Sequence, residues 1–137
     1  GRDDLVAVGD HDQGVEGMRQ LLKQTGKNLP DAVIFHNDAM AIGGMGEAMR
    51  QGITVPEKMA IAGFDDIEEA EYCVPSLTTI RQPREQIAAE LVDMLLRQIE
   101  KNDRILRKGI LAPTLVIRDS TPAVEIPPDE KTRRRRK

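Results

Sequence analysis

Residues 30–51 constrain the fold of this chain most, because they join an apolar run, a polar turn and a packed helix without interruption. The run at residues 32–35, Ala-Val-Ile-Phe, is typical of a parallel strand that is covered on both faces. His36, Asn37 and Asp38 end this run. In open α/β sheets small ligands bind at the carboxyl ends of the strands, so we expect a functional site at this turn.

A helix is predicted to follow the turn, from about residue 39 to residue 50. Asp38 or Asn37 can cap its first amide groups, and Gly52 is typical of a residue just beyond a helix end. The strand, the turn and the helix therefore form one unit of an α/β fold.

Apolar spacing predicts further strands and helices on both sides of this unit. The predicted strands lie at residues 5–8, 59–62, 77–80 and 110–117, and the other helices end near residues 25 and 101, with Asp12 as cap of the first and Pro83 in the first turn of the last. Residues 67–75 suit a single helical turn and a loop. Strands that alternate with helices in this order predict an α/β fold with a doubly wound, mostly parallel sheet.

The composition favours a polar ligand and an aliphatic core. With no Trp, one Tyr and two Phe, the chain offers few aromatic surfaces on which a ring could stack. A single cysteine, Cys73, excludes an internal disulfide and a cysteine metal cage, which is compatible with a cytoplasmic protein. No apolar run approaches the roughly 20 residues of a membrane span, and no signal peptide opens the sequence, so no membrane partner is expected.

The charge is divided between an acidic body and a basic end. Residues 131–137 hold six of the 20 Lys and Arg and no acid, which leaves residues 1–130 with a net charge of -9. An acidic body does not bind nucleic acid by itself, and a short cationic run binds it only without sequence preference. We expect residues 122–137 to be a disordered basic tail.

Polar side chains follow two of the predicted strands. Asn37 and Asp38 follow the strand at 32–35, and Asp65 follows the strand at 59–62. Carboxylates and a carboxamide suit a hydroxyl-rich ligand, because they accept hydrogen bonds from hydroxyls and the amide also donates. The alternative is that Asp38 and Asp66 cap helices and that Asn37 only forms a turn.

Two other patterns have plainer explanations. Gly43, Gly44 and Gly46 do not form a dinucleotide fingerprint, because they fall inside the predicted helix; close packing against a helix or a partner explains them better. Residues 10–12 with His36 lack the spacing of a metal site. No nucleophile has a base partner in the sequence, so we expect no catalytic residue, no metal and no cofactor.

Several motifs come in the order found in one family. Over residues 5–121 the chain closely resembles the effector-binding domain of LacI/GalR transcriptional repressors. The motifs that carry this resemblance are NDAMAIGG, GITVPEK, GFDD, PSLTTIRQP and LAPTLVIRDST. This resemblance implies a periplasmic binding protein-like fold with the ligand between two lobes. It implies that residues 1–121 form part of one lobe, with residues 83–108 crossing to the other lobe in the full protein. A full repressor of this kind carries a DNA-binding head, a hinge, a first lobe and the opening strand of the second lobe, none of which precedes Gly1 here, so we expect the chain to be a fragment.

The resemblance also assigns roles to site residues. It implies that Asn37 and Asp65 bond ligand hydroxyls, that Phe64 lies beside them and that Asp38 mainly holds the turn. Asp12 occupies the place where the family often has an aromatic stacking residue, which favours a polar ligand over a flat base. The expected partners are a small-molecule effector, a second copy of the chain and operator DNA, the last through the head alone.

The same resemblance implies a homodimer through the helix at 39–50 and the loop at 72–76. The residues expected at this contact are Ile42, Met45, Gly46, Met49, Tyr72 and Pro75. In the family the last helix packs on a sheet of the other lobe, which we expect this sequence to lack. Its apolar stripe would then be bare, so we expect the helix either to fold back on the remaining sheet or, preferably, to dock on another chain. The stripe consists of Ile87, Leu91, Met94, Leu95 and Ile99.

Two alternative functions remain open at this point. A solute-binding protein of a transport system shares the implied fold, but it would carry an export signal and act as a monomer. An α/β enzyme with Mg²⁺ at Asp65 and Asp66 is the other alternative.

Overall fold

A computed structural model describes residues 9–101 and 109–123. The elements are α1 (His11–Thr25), β1 (Ala32–Ile34), α2 (Asp38–Arg50), β2 (Ala60–Ala62), α3 (Glu69–Tyr72), β3 (Thr79–Arg81), α4 (Arg84–Lys101) and β4 (Thr114–Val116). This alternation confirms the predicted α/β class. The strand expected at 5–8, the connection at 102–108 and the tail from residue 124 lie outside the described residues.

The sheet that contains β1 and β2 is parallel, as predicted. β1 pairs with β2 in parallel, with Val33 opposite Ile61, and a parallel bridge from Ala62 to Thr78 continues the sheet toward β3. β3 and β4 form an antiparallel pair. The chain leaves the sheet through β3, forms α4 and returns through β4, so both connections to α4 lie side by side.

Ser120 fastens the returning segment into the sheet. It is fully buried, and its hydroxyl donates to the carbonyl of Ile61 at 2.6 Å while accepting from the amide of Thr78 at 2.8 Å. The amide of Ile61 donates in turn to the carbonyl of Ser120 at 2.9 Å. The segment after β4 thus satisfies buried backbone groups of β2 that would otherwise lack partners.

The core lies between the helices and β2 and is aliphatic, as the composition predicts. Its buried members are Met18, Ala41, Met45, Ala48, Ile53, Val55, Met59, Ile61, Ala70 and Leu77. Strand β1 departs from the expectation of cover on both faces, because Ile34 is 80% exposed. Its neighbour Val33 points to the core and is half-buried, so β1 has one packed face in the described structure.

Two glycines bring α1 and α2 into backbone contact. A Cβ atom added at Gly14 would lie 2.0 Å from the carbonyl oxygen of Met40, and one at Gly43 would lie 2.1 Å from that of His11. This confirms close helix packing as the reason for Gly43. At Gly46, which is exposed, an added Cβ would have no described atom within 4 Å.

The helix ends differ in part from the predicted ends. Asp10 caps α1, since its Oδ1 accepts from the amides of Asp12 at 3.1 Å and Gln13 at 3.3 Å. The prediction of Asp12 as cap is wrong, because the helix begins before it, at His11. Gly52 follows α2 as expected, at φ +78° in the left-handed region that glycine adopts without strain.

The apolar stripe of α4 is largely exposed. Leu91, Leu95 and Ile99 are 61%, 56% and 69% exposed, while Ile87 and Met94 are half-buried. The expectation that this helix folds back onto the sheet is therefore wrong for the described residues. α4 starts just beyond the end of β3, and few of its described residues contact β1 or β2. Of the helices that the structure describes, none is both long and apolar enough to cross a membrane.

Candidate functional site

The turns after β1 and β2 meet at one edge of the sheet. Because these strands run parallel, their carboxyl ends coincide, and the amide of Asp38 donates to the carbonyl of Phe64 at 2.9 Å. Asn37 and Asp65, on the two turns, are both half-buried, as is Phe64. The structure thus brings together the polar residues that the sequence places after two separate strands.

Asn37 combines two structural roles. Its Oδ1 accepts from the amide of Met40 at 2.8 Å and caps α2, and its Nδ2 donates to the carbonyl of Gly9 at 2.9 Å. A carboxamide carries two N–H groups and two acceptor positions, so one of each remains for a ligand. The bond to Gly9 also brings the start of α1, with the exposed Asp12 in its first turn, toward this edge.

Asp38 holds the turns together from inside the protein. It is fully buried, and its carboxylate accepts from the Thr79 hydroxyl at 2.5 Å and from the Ile67 amide at 2.9 Å. Burial raises the pKa of Asp38, and these hydrogen bonds oppose that rise. A carboxylate without exposed surface has no face for a ligand, so the structure gives Asp38 the turn-holding role and removes it from the expected ligand contacts.

Asp65 stands in an unusual backbone conformation at the end of β2. Its φ is +108°, which non-glycine residues rarely adopt. Its amide donates to the carbonyl of Ile80 at 3.0 Å, and its Oδ1 accepts from the side-chain amide of Gln82 at 2.6 Å. Strain of this kind persists where the surroundings fix the backbone, and it is concentrated at binding sites.

Asp66 follows with a second positive φ, of +53°, and a carboxylate engaged by two arginines. Its Oδ1 accepts from Arg118 at 2.8 Å, and its Oδ2 accepts from Arg81. Burial raises the pKa of Asp66, but the hydrogen bonds from Arg118 and Arg81 outweigh it and lower the pKa below its ordinary value. This engagement disfavours a Mg²⁺ ion at Asp65 and Asp66. In residues 9–101 and 109–123, no three His, Cys, Asp or Glu side chains come together as metal ligands.

Sequence reasoning missed the residues that support this edge from the other strands. Thr79 and Gln82 contact Asp38 and Asp65, and Arg118 contacts Asp66. An open cavity of about 380 Å³ adjoins them, lined by Asp66 and residues 81–86. The signal was a run of polar residues directly after the strand at 77–80, which local spacing alone did not connect to Asp65.

The residues expected at a dimer contact differ in exposure. Met49 and Tyr72 are 44% and 70% exposed, and Gly46 is also exposed. Ile42 and Pro75 are half-buried. Met45 is 2% exposed and belongs to the core between α1 and α2, so its side chain is not available to a second subunit.

The sequence and the fold match a known class of domain. A family model described as a periplasmic binding protein-like domain matches residues 3–121. The chain belongs to this class. Within it, the chain belongs to the effector-binding domains of the LacI/GalR family of transcriptional regulators, as its relatives show.

Three relatives illustrate the match. The HTH-type transcriptional repressor CytR of Escherichia coli (strain K12) is 40% identical over 121 residues, which are 87% of this chain and 35% of CytR. The ribose operon repressor of Haemophilus influenzae is 37% identical over 111 residues, 81% of this chain and 33% of that protein. The lac repressor dimer bound to operator and the anti-inducer ONPF has a TM-score of 0.74 and 30% identity, covering 83% of this chain and 39% of that one. The chain thus spans about a third of the length of these curated relatives.

Proposed function

We propose that the chain senses a small polar effector, a sugar, sugar acid or polyol, and thereby modulates the DNA binding of an attached helix-turn-helix head in the cytoplasm. The observation that carries this proposal is Asp65, held at φ +108° with its carboxylate at the carboxyl edge of the sheet. A strained backbone at that edge is characteristic of a group positioned for a ligand. The function is binding and not catalysis.

The chemistry of the edge suits hydroxyl groups. Asp65 supplies a charged acceptor, and Asn37 retains one donor and one acceptor beyond its structural bonds. Phe64 adds an apolar face beside them, and Asp12 at the start of α1 contributes a polar rim. A ligand with many hydroxyls and no flat base matches this combination best.

Regulation would follow from the connections to α4. In our proposal residues 1–121 form one lobe with the segment 83–108 crossing to a second lobe, which covers the exposed side chains of Leu91, Leu95 and Ile99. An effector that binds between the lobes favours one lobe arrangement over another by its difference in affinity. The head then binds operator DNA to a different extent in each arrangement.

We further propose that two copies associate through the outer side of α2 and the loop after α3. Gly46, Met49 and Tyr72 are exposed there, with Pro75 and Ile42 at the margin. Val74, which is 83% exposed, lies within the predicted contact loop at 72–76 and extends this apolar surface. The lac repressor relative is a dimer, which supports this arrangement.

A transport-linked solute-binding protein remains the nearest competing function, because it shares the class of fold. The named relatives are transcriptional repressors, and this favours the regulatory function. A Mg²⁺-dependent enzyme is the weaker alternative, since both oxygens of Asp66 accept from arginines.

The proposal is tested by ligand-dependent thermal shift of the full-length protein. Ribose, gluconate, ribitol and adenosine represent the sugar, sugar-acid, polyol and nucleoside classes. A ligand present at 100 times its Kd adds about 2.7 kcal/mol to the free energy of unfolding, so a specific binder raises Tm clearly. We expect a member of the first three classes to do so, and a shift by adenosine alone would contradict the ligand class.

The decisive variant is Asp65→Asn, with Asp31→Asn as a matched control on an exposed residue before β1. A hydrogen bond to a charged group contributes about 1.5–3 kcal/mol, so we expect the affinity for the binding sugar to fall about tenfold or more. Asp31→Asn should leave it unchanged. An Asp65→Asn protein that binds the same sugar with the parent's affinity would remove Asp65 from the site.

A further inference from the structure

Asp66 is the residue at which three separate parts of the chain are joined by charge. Its side chain is 7% exposed, and it accepts from Arg118, whose side chain is 13% exposed, and from Arg81. Arg81 ends β3 and Arg118 follows β4. One buried carboxylate therefore links the turn after β2 to both strands that connect the sheet with α4.

The turn that Asp66 belongs to needs such support. Asp65 and Asp66 both have positive φ, and consecutive non-glycine residues in this region persist only where neighbouring contacts fix them. Arg84, the first residue of α4, also donates to the carbonyls of Asp65 and Asp66. The contacts that hold this turn thus come from the segment that leads to and from α4.

Arg118 connects the turn to a further part of the chain, the residue Leu77 before β3. Its Nη1 donates to the carbonyl of Leu77 at 2.8 Å while its Nη2 donates to Asp66 at 2.8 Å. A planar guanidinium that makes two bonds in different directions fixes the relative position of its partners better than a point charge. Arg118 thereby fixes the turn against the start of the segment leading into β3.

We propose that Asp66 and Arg118 are positioning residues of the effector site, which hold Asp65 in its left-handed conformation and couple its position to the β3–β4 pair. The inference rests on the proposed function of Asp65 as an effector contact. A shift of α4 relative to the sheet moves β3 and β4, and through Asp66 it moves the carboxylate that the effector meets. The competing explanation is an ion pair that contributes only to global stability.

The test compares Asp66→Asn with Glu47→Gln in the 137-residue chain. Asn enters the left-handed region as readily as Asp, so Asp66→Asn removes the charge and leaves the backbone preference. Glu47 is a matched control, because it is also a buried carboxylate, 2% exposed, that is paired with two arginines, Arg19 and Arg50, but it lies on α2 away from the turn.

Two local signals are measured by nuclear magnetic resonance, and neither requires an effector. The first is hydrogen exchange of the Asp65 amide, bonded to Ile80, relative to the Gly63 amide, bonded to Thr78. The second is the side-chain amide resonance of Gln82, which reports its bond to Asp65. In Asp66→Asn we expect relative exchange at Asp65 to rise about tenfold or more and the Gln82 signal to move toward that of an exposed Gln.

Glu47→Gln should change neither signal, whatever its effect on overall stability. If Asp66→Asn leaves both signals as in the parent, or if Glu47→Gln changes them equally, the positioning role is refuted. If Asp66→Asn does not fold, Arg81→Met provides the same test. This substitution removes one of the two positive charges that engage Asp66, at a side chain that is 59% exposed. Arg81→Lys, which restores the charge, should return both signals toward the parent. Loss of effector binding in Asp65→Asn is a separate measurement, so either idea can fail alone.

Discussion

Replacing Gly14 by Ala should separate α1 from α2, and the structure gives the size of the effect. The added Cβ would lie 2.0 Å from the carbonyl oxygen of Met40, more than 1 Å closer than ordinary contact. Both sides of this contact are backbone, so no side chain can rotate away, and the helices must move apart over the buried Met18. Overpacking of this kind costs about 3 kcal/mol, whereas a better helix propensity returns about 1 kcal/mol. The expected net loss is about 2 kcal/mol.

Gly17→Ala is the matched control within the same helix. An added Cβ at Gly17 has no described atom within 4 Å, so only the gain in helix propensity applies, about 1 kcal/mol. Urea unfolding followed by circular dichroism should therefore separate the two variants by about 3 kcal/mol, a large part of a typical domain's stability. If Gly14→Ala is as stable as Gly17→Ala, the close approach of α1 and α2 at this glycine is not real.

Three further outcomes follow from burial and charge. Hydrogen bonds from Gln51 and Arg19 lower the pKa of Glu47 from 4.5 to about 2, so the folded state binds this proton less tightly than the unfolded state. The contribution of Glu47 to the free energy of unfolding is present above pH 4.5 and is lost as the pH falls toward 2. When the free energy of unfolding is measured in urea at several pH values, Glu47→Gln should remove this part of its pH dependence. An unchanged pH dependence would contradict the assignment. Met45→Glu places a charge in the core and should unfold the chain, whereas Met49→Glu should keep a native circular dichroism spectrum and weaken dimers in sedimentation; a folded Met45→Glu protein would overturn the core position of Met45. In the 137-residue chain, Leu95→Gln on the exposed face of α4 should change the free energy of unfolding by no more than about 0.5 kcal/mol, and a larger loss in urea unfolding would mean that this face is covered within the chain.

Most of the strands and helices could be predicted from the sequence, because their apolar spacing and their turn residues are local patterns. The apolar run at 32–35 predicted β1, and the polar turn after it predicted the start of α2. The apolar residues at helical spacing before residue 101 predicted α4. The cap of α1 was misplaced because Asp10 and Asp12 flank the same turn and carry identical side chains. Sequence alone does not determine which of two such neighbours stands outside the helix.

The features that sequence did not reveal are set by distant contacts. Arg118 meets Asp66 across 52 positions of the chain, and no periodicity connects them. Met45 was assigned to a partner surface from the family resemblance, and the sequence did not correct this, because α2 is apolar on most sides and its pattern does not distinguish the face toward α1 from the outer face. The positive φ of Asp65 likewise depends on bonds from residues 80–84, which a local turn signal does not contain.

The place of Ser120 in the sheet has a consequence for the order in which the chain is made. Ser120 supplies partners for both backbone groups of Ile61, yet it is synthesised 59 residues later. At roughly 5–20 residues per second, a ribosome needs roughly 3 to 12 s to cover that distance. During this interval the nascent β2 carries an amide and a carbonyl without their final partners, so the growing chain is exposed to chaperones and proteases until the segment after β4 emerges. Codons that slow translation between these two points should therefore lower the yield of folded protein more than the same codons placed before β2.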